Sequence, residues 1–323
     1  RAVMALNRAT SVASAMAAID RDFRVGGQNW VFADRDGHIG WDTHVDLPRR
    51  PAGVDPGKIL PGDGSAEWAE AGVPANEQPR AVDPSCGFLA TANNDPLGVT
   101  GGRPATIYHG WDYDPGPRAG RITRRIREAA AAGKKLTIED LSDIQADHHS
   151  FLGTRLRDLV VEAGTALLAE RGTPGTAPEL AEVAKTVDAA TAAQIDGALG
   201  RLKGWQFATP AGVVAEVSEA EVRESIATSI FNVWLTEFVQ RTLNDEVAVV
   251  RQQSGGIGPS TTRRRMLVVA AALTPEKLRV ARVNGESPLF DDLTTPWRET
   301  RREIAAQSLV AALAALGKAL GAD

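Results

Sequence analysis

The segment from Gly87 to Pro96, with the sequence GFLATANNDP, carries the side chains in this chain best suited to chemistry. Its apolar residues lead to two adjacent amides, Asn93 and Asn94, and the residue before a proline is kept out of the helical region. The pattern therefore predicts a short strand that delivers both amides to a loop. A primary amide at a strand end is a fixed, uncharged donor of the kind that stabilises an oxyanion during acyl transfer. An Asx turn is the competing interpretation, because Asn-Asn-Asp-Pro is also favourable turn sequence.

Two acidic residues, Asp112 and Asp114, lie close together in the loop-like segment that begins at His109. Carboxylates and backbone carbonyls are the ligands that a hard cation such as calcium prefers, so this segment is a candidate calcium site. A solvated acidic turn explains the same residues equally well, and both interpretations stay open.

Other polar clusters favour structural roles. His148 and His149 are adjacent, so on a helix they point about 100° apart and cannot both face one metal ion. The glycines of Gly255–Gly258 lack the preceding strand and the Lys-Ser/Thr ending of a phosphate loop. Asp291 and Asp292 are typical of an exposed turn.

A group of arginines follows Arg118 in the N-terminal half of a predicted helix. Positive charges at that end oppose the helix dipole, so helix stability does not explain them. A solvated helix face is the simplest explanation for Arg124, Arg125 and Arg127.

Composition limits the classes of function. A chain of 323 residues with 43% hydrophobic content can bury a sizeable core. The net charge of −5 gives no reason to expect nucleic acid or an anionic membrane as a partner. Cys86 is the single cysteine, which excludes an intrachain disulfide. No apolar run is expected to be long enough to cross a bilayer, and no signal peptide is recognisable.

The first third of the chain is predicted to combine one helix, one hairpin and one long loop. Alanine-rich sequence predicts a helix over Ala5–Arg21. Alternating apolar residues around Asp34–Gly37 predict a β-hairpin over Asn29–Val45. Seven prolines between Leu47 and Pro84 predict an ordered loop without regular structure.

The remainder is predicted to be mostly helical. Thr137 and Asp140 form a capping-box pattern, and a proline marks the expected start of the last helix at Thr295-Pro296. The strongest helical period is one continuous apolar face, formed by Val222, Ile226, Ile230, Trp234 and Phe238. The predicted helices are Arg118–Ala132, Thr137–His148, Gly153–Glu170, Glu179–Arg201, Glu221–Val250 and the segment from Thr295 onward.

Three segments, in this order, resemble the penicillin acylase family of N-terminal nucleophile (Ntn) hydrolases. They are QNWVFADRDGHIGW from Gln28, GFLATANNDP from Gly87, and PRAGRITRRI from Pro117. The resemblance implies an α+β chain that forms part of an αββα Ntn-hydrolase sandwich, mostly helical, with an N-terminal hairpin and a long Pro-rich loop. Residues 1–117 are expected to supply strands, loops and the oxyanion loop, and residues 118–323 the mainly helical part of the same large subunit.

The resemblance also implies roles for particular residues. Asn93 takes the place of the family's oxyanion-hole asparagine, and Arg121 that of its active-site arginine. Pro56 is placed where the family offers a backbone carbonyl to a structural calcium. The family also has an aspartate in the region of Asp112 and Asp114; Asp112 is taken as the ligand, with Asp114 as the alternative.

The family's nucleophile is a serine freed at the start of the large subunit by autocatalytic cleavage. Ser11 and Ser14 lie in alanine-rich helical sequence and do not match it. The expectation is a large-subunit piece of a zymogen-derived enzyme, without the serine and inactive alone. Its expected partners are the small (alpha) subunit, the missing N-terminal part of the large subunit and a small acylated amide substrate. The resemblance implies a periplasmic or secreted location.

The expected function is that of an amidohydrolase that cleaves the amide bond of an N-acylated small molecule such as a penicillin. Acyl-homoserine lactones and lipopeptides are the alternative substrates. A non-catalytic helical binding module is the alternative from another class of protein.

Overall fold

The computed structural model describes residues 1–24, 26–56, 58–98, 107–110, 113–114, 116–210, 217–253 and 287–321. They divide into two compact units, Arg1–Ile144 and Gln145–Asp323. The predicted change from strands and loops to helices lies at residue 117, so the first unit includes helical sequence beyond that position.

The first unit begins with two short helices, α1 (Ala2–Leu6) and α2 (Val12–Asp22). The prediction of a single helix over Ala5–Arg21 is wrong, because Ser11 starts a new helix. Its hydroxyl accepts from Ser14 N at 3.2 Å, and Ser14 Oγ accepts from Ser11 N at 3.0 Å. This reciprocal cap satisfies donors that a continuous helix would not expose.

A small antiparallel sheet follows, with the order β1 (Trp30–Ala33), β2 (Ile39–Asp42) and β3 (Arg80–Val82). The predicted hairpin is confirmed. β3 and the 3₁₀ turn Ala75–Glu77 lie in the segment that was expected to lack regular structure, so that expectation is wrong. α2 packs closely on β2, since a Cβ built at Gly40 would lie 2.4 Å from Val12 Cγ1.

The segment Gly87–Pro96 forms turns, and the predicted strand is wrong. Asp95 Oδ1 accepts from Leu97 N and Gly98 N, both at 2.9 Å, which is the Asx turn that competed with the strand interpretation. Asn94 makes one isolated parallel bridge with Asp114.

Two helices complete the first unit, α3 (Pro117–Ala131) and α4 (Ile138–Gln145). The capping box is confirmed, since Thr137 N donates to Asp140 Oδ2 at 3.0 Å and Asp140 N to Thr137 Oγ1 at 3.3 Å. α4 ends before the predicted end at His148.

The second unit is helical in its described part. Its α-helices are α5 (Phe151–Gly172), α6 (Ala181–Lys185), α7 (Ala189–Gly204), α8 (Glu219–Gln253) and α9 (Arg301–Leu320), with 3₁₀ turns at Pro178–Leu180 and Pro288–Phe290. α9 packs against α8, α5 and α7. The segment Gly255–Gly258 lies outside the described residues.

Two predicted helix boundaries in this unit are wrong. The segment predicted as one helix over Glu179–Arg201 divides, because Asp188 Oδ1 accepts from Thr191 N at 2.7 Å and caps a new helix. The last helix starts after Thr300, whose hydroxyl accepts from Glu303 N at 3.1 Å, and Pro296 precedes the helix.

The core of the second unit contains a row of aromatic rings among its aliphatic side chains. Successive centroids from Trp205 through Phe231, Trp234 and Phe238 are 5.1, 5.6 and 5.0 Å apart. Trp234 Nε1 donates to Ala305 O at 3.0 Å and so satisfies its polar atom while joining α8 to α9.

By length and composition, α9 is long and apolar enough to cross a membrane, with a mean hydropathy of 1.4. The expectation that no apolar run has this length is therefore wrong. One face of α9, including Ile304, Leu309 and Ala312, is buried in the helical core, and this packing explains its apolar character.

Candidate active site

Asn93 lies in a turn of the first unit and exposes its side chain to solvent. Its backbone has a φ of 60°, the left-handed conformation that asparagine tolerates better than most residues. Its carbonyl oxygen accepts from Asp114 N at 2.8 Å, and the preceding residue, Ala92, is buried. The backbone is therefore held in place while the amide stays accessible.

Arg118, in the first turn of α3, contacts this amide directly. Its Nη2 atom lies 3.0 Å from Asn93 Oδ1, 2.8 Å from Ala92 O and 3.0 Å from Asp114 Oδ2. A guanidinium has donors only, so Asn93 accepts through its oxygen. Arg118 was not among the predicted site residues, although its spacing of four residues from Asp114 was a usable signal.

Arg121, the predicted active-site arginine, lies three residues further along α3 and is half-buried. Residues three apart share one face of a helix, so Arg121 is on the same face as Arg118. The structure thus places it on the helix that contacts Asn93. A role for Arg121 beside the nucleophile stays a prediction.

A cleft of about 300 Å³ opens beside this turn. Asn94 and Thr123 line it together with the apolar side chains of Trp41 and Phe88. The guanidinium of Arg127 lies 6.0 Å from the centroid of the Phe88 ring, a cation–π contact that ties α3 to the wall of the cleft. The cleft combines apolar walls with one amide, as a small-molecule site does.

Two titratable groups in the segment that precedes α3 have shifted pKa values. Burial raises the pKa of Tyr113 to about 12, and the nearby charge of Asp95 acts in the same direction. Burial lowers the pKa of His109, whose Nε2 lies 3.4 Å from Thr43 O.

The predicted calcium ligands are only partly described. Pro56 is half-buried and lines a cleft of about 350 Å³ together with Trp68 and Tyr108. Asp112 lies outside the described residues. Asp114 is described, and its carboxylate accepts from Arg118 and, at 3.1 Å, from Gly116 N.

A second polar cluster, which the sequence analysis did not identify, joins α2 to the sheet. Three potential metal-ligand atoms, one each from Asp20, Asp42 and His44, lie within 4.8 Å of one another. Arg80 donates to both carboxylates, at 2.6 Å to Asp20 Oδ1. Asp42 is fully buried and burial raises its pKa, whereas the attraction of Arg80 opposes that rise. The guanidinium already supplies the counter-charge here, so the cluster is best described as a partly buried ion-pair network.

The two histidines judged unsuitable for a metal make separate contacts. His148 Nδ1 lies 3.2 Å from Ala146 O, and the His149 ring packs edge-on against Phe207 at 5.7 Å. Each ring is accounted for by local packing in the second unit.

The first unit thus holds the Asn93 amide in a turn that Arg118, in the first turn of α3, contacts. The chain belongs to the penicillin amidase family, whose profile matches residues 1–323. The resemblance stated from the sequence is therefore confirmed, and members of this family are acylase hydrolases.

The individual relatives share only about a quarter of their aligned residues with this chain. The chain is 26% identical over 323 residues to acyl-homoserine lactone acylase QuiP of Pseudomonas aeruginosa, covering 98% of this chain and 33% of that protein. It is 26% identical to penicillin G acylase of Escherichia coli over 216 residues, 67% of this chain and 22% of that protein. The chain thus spans about a third or less of the length of these relatives.

A solved structure shows the same fold. The thermostable penicillin G acylase from Alcaligenes faecalis superposes with a TM-score of 0.61 at 20% identity, covering 100% of this chain and 52% of that chain. The predicted fold class, a mostly helical α+β chain of the penicillin acylase fold, is confirmed.

Proposed function

We propose that the chain is part of the large subunit of an amidohydrolase that cleaves the amide bond of an N-acylated small molecule. The nucleophile is a serine outside these 323 residues. Its own α-amino group, with an ordinary pKa of about 7.7–8.0, acts as the base. The small subunit and the rest of the large subunit complete the active site.

In this mechanism Asn93 donates a hydrogen bond to the oxyanion of the tetrahedral intermediate. Arg121 lies near the nucleophile and favours the neutral form of its amine. One observation carries the proposal: the Asn93 amide is exposed on a backbone that hydrogen bonds hold in place. A preorganised donor of this kind is what acyl transfer requires.

The substrate is an acylated amine. A penicillin is the first candidate, since penicillin G acylase is among the relatives. An acyl-homoserine lactone is the second candidate, because the relative named for that substrate matches 98% of this chain.

We also propose that the complete enzyme holds a structural calcium between the Pro56 carbonyl and the Asp112 carboxylate. Pro56 and Tyr108 line the same cleft, which supports an approach between the Pro-rich loop and the segment that precedes Asp112. Arg118 already engages the Asp114 carboxylate, which leaves Asp112 as the better ligand.

The test is Asn93→Gly in the enzyme expressed from its complete reading frame. Glycine adopts a φ of 60° freely, so this variant removes the amide without straining the turn. We expect kcat/KM to fall roughly 10²–10³-fold on a chromogenic phenylacetyl amide or an acyl-homoserine lactone, with an unchanged melting temperature.

Two controls accompany this variant. Asn94→Ala should be milder, because Asn94 Oδ1 accepts from Ala92 N at 3.1 Å and serves the turn itself. The 323-residue chain alone should show no turnover. A wild-type rate for Asn93→Gly would reduce Asn93 to a turn residue, and turnover by the chain alone would overturn the external nucleophile.

A further inference from the structure

The guanidinium of Arg118 joins three groups around the proposed oxyanion donor. It contacts Asn93 Oδ1 at 3.0 Å, Ala92 O at 2.8 Å and the Asp114 carboxylate at 3.0 Å. Asp114 closes the ring by donating its backbone N–H to Asn93 O at 2.8 Å. Arg118 in the first turn of α3 therefore holds the side chain of Asn93, and Asp114 just before that helix holds its backbone.

The contact between Arg118 and Asn93 determines whether the amide turns its oxygen or its nitrogen toward a ligand. The terminal torsion of asparagine is broad and roughly two-fold, so an unrestrained amide presents its oxygen about as readily as its nitrogen. An amide oxygen facing a developing oxyanion would repel it, whereas the amino group would stabilise it. Because Arg118 only donates, it binds the oxygen and leaves the Nδ2 hydrogens for the ligand.

We propose that Arg118 is a positioning residue for acyl transfer, holding the Asn93 amide so that its Nδ2–H group faces the tetrahedral oxyanion. The inference rests on the proposed function. The positive charge of Arg118 also polarises the Asn93 amide and strengthens its Nδ2–H group as a hydrogen-bond donor. Asp114 fixes the guanidinium in turn, through a carboxylate that also accepts from Gly116 N at 3.1 Å.

A purely structural role for Arg118 makes a different prediction. A clamp between the turn and α3 would affect stability, and its loss would slow the reaction by the same factor whether or not Asn93 is present. A residue that acts through the Asn93 amide has no effect on rate once that amide is gone. A double-mutant cycle separates these cases.

The experiment measures kcat and KM for Arg118→Met, Asn93→Gly and the double variant of the complete enzyme. We expect Arg118→Met to lower kcat by roughly tenfold to a hundredfold, less than the roughly 10²–10³-fold loss for removing the donor itself. KM should change little. In the Asn93→Gly background Arg118→Met should cause no further loss.

Two more variants keep the test decisive if Arg118→Met folds poorly. Arg118→Gln retains a neutral donor for Asn93 Oδ1 and should recover part of the rate. Arg124→Met, two turns into the same helix, should leave kcat unchanged.

The outcomes separate the two claims. An inactive Asn93→Gly beside a fully active Arg118→Met overturns the positioning role and leaves the proposed function standing. Equal losses from Arg118→Met in both backgrounds overturn it as well. A fully active Asn93→Gly contradicts the proposed function itself.

Discussion

Two carboxylates in the helical unit have pKa values far above their ordinary range. Glu303 is buried in the first turn of α9, and burial raises its pKa to about 7. Burial also raises the pKa of Glu246 to about 8, with a further contribution from a hydrogen bond with Asp245. In the folded chain both side chains keep their protons at pH values where an exposed glutamate has lost its own.

This difference predicts a loss of stability with rising pH. The unfolded value is 4.5, so between pH 4.5 and about 7 the folded state binds more protons at Glu303 than the unfolded state does. The stabilising contribution is complete below pH 4.5 and is lost as the pH rises through about 7. We expect Glu303→Gln to reduce the loss of unfolding free energy between pH 5 and pH 8, measured by urea denaturation.

A matched control for this prediction is Glu219→Gln, since the side chain of Glu219 at the start of α8 is 97% exposed. That variant should keep the wild-type pH dependence. An unchanged pH dependence in Glu303→Gln would show that Glu303 is ionised in the folded state throughout this range.

At the residue scale, the roles of Asn93 and Arg121 stay predictions, and the residue that contacts the Asn93 amide was not predicted. Asn93 follows from the loop motif, and Arg121 from the helix motif. The contact of Arg118 with Asn93 depends on how a turn meets a helix 25 residues later, which no local pattern records. The pairing of Arg80 with Asp42 across 38 residues was missed for the same reason.

At the scale of the element, periodicity located helices better than it located their ends. The apolar period of α8 is long and regular, and the helix is present. Ser11, Asp188 and Thr300 each start a helix by accepting from a backbone N–H, yet all three starts lie inside segments predicted as helical. Apolar periodicity continues across a short break, and Ser, Thr and Asp are too common for every one to be a cap.

Two helical glycines should respond to alanine in opposite directions. A Cβ at Gly153 in α5 would lie 2.6 Å from Trp205 Cη2, and this ring is buried with its Nε1 bound to Ala208 O at 2.9 Å. Because the ring has little room to move, Gly153→Ala should destabilise by about 1–3 kcal/mol. Gly197 in α7 has no atom within 4 Å of such a Cβ, so Gly197→Ala should stabilise by about 0.5–1 kcal/mol.

The measurement for this pair is the free energy of unfolding of each variant beside the wild type. The opposite signs separate steric crowding from helix propensity, since both changes replace a helical glycine with alanine. A neutral or stabilising Gly153→Ala would mean that α5 and the Trp205 ring can move apart without cost.

At the scale of the whole molecule, the family resemblance implied a mostly helical α+β chain, and the structure adds the division of the described residues into two compact units. From the sequence, α3 and α4 were predicted to begin the mainly helical part of the chain. By their contacts they belong with the sheet and the Pro-rich loop, in the unit that ends at Ile144. Long-range packing decides this assignment, and a sequence pattern describes only short-range order.

Calcium binding belongs to the scale of the whole enzyme because the proposed ion would hold the long Pro-rich loop against another segment. Ordering a long loop costs backbone entropy, and a cation bound by oxygen ligands from two segments can offset that cost. We expect one tightly bound calcium per complete enzyme, and a lower melting temperature after chelation. Asp112→Asn should remove the metal, whereas Asp114→Asn should retain it, because Asp114 is committed to Arg118. Elemental analysis of undialysed protein checks both variants, and metal lost from Asp114→Asn but kept by Asp112→Asn would reverse the assignment of the ligand.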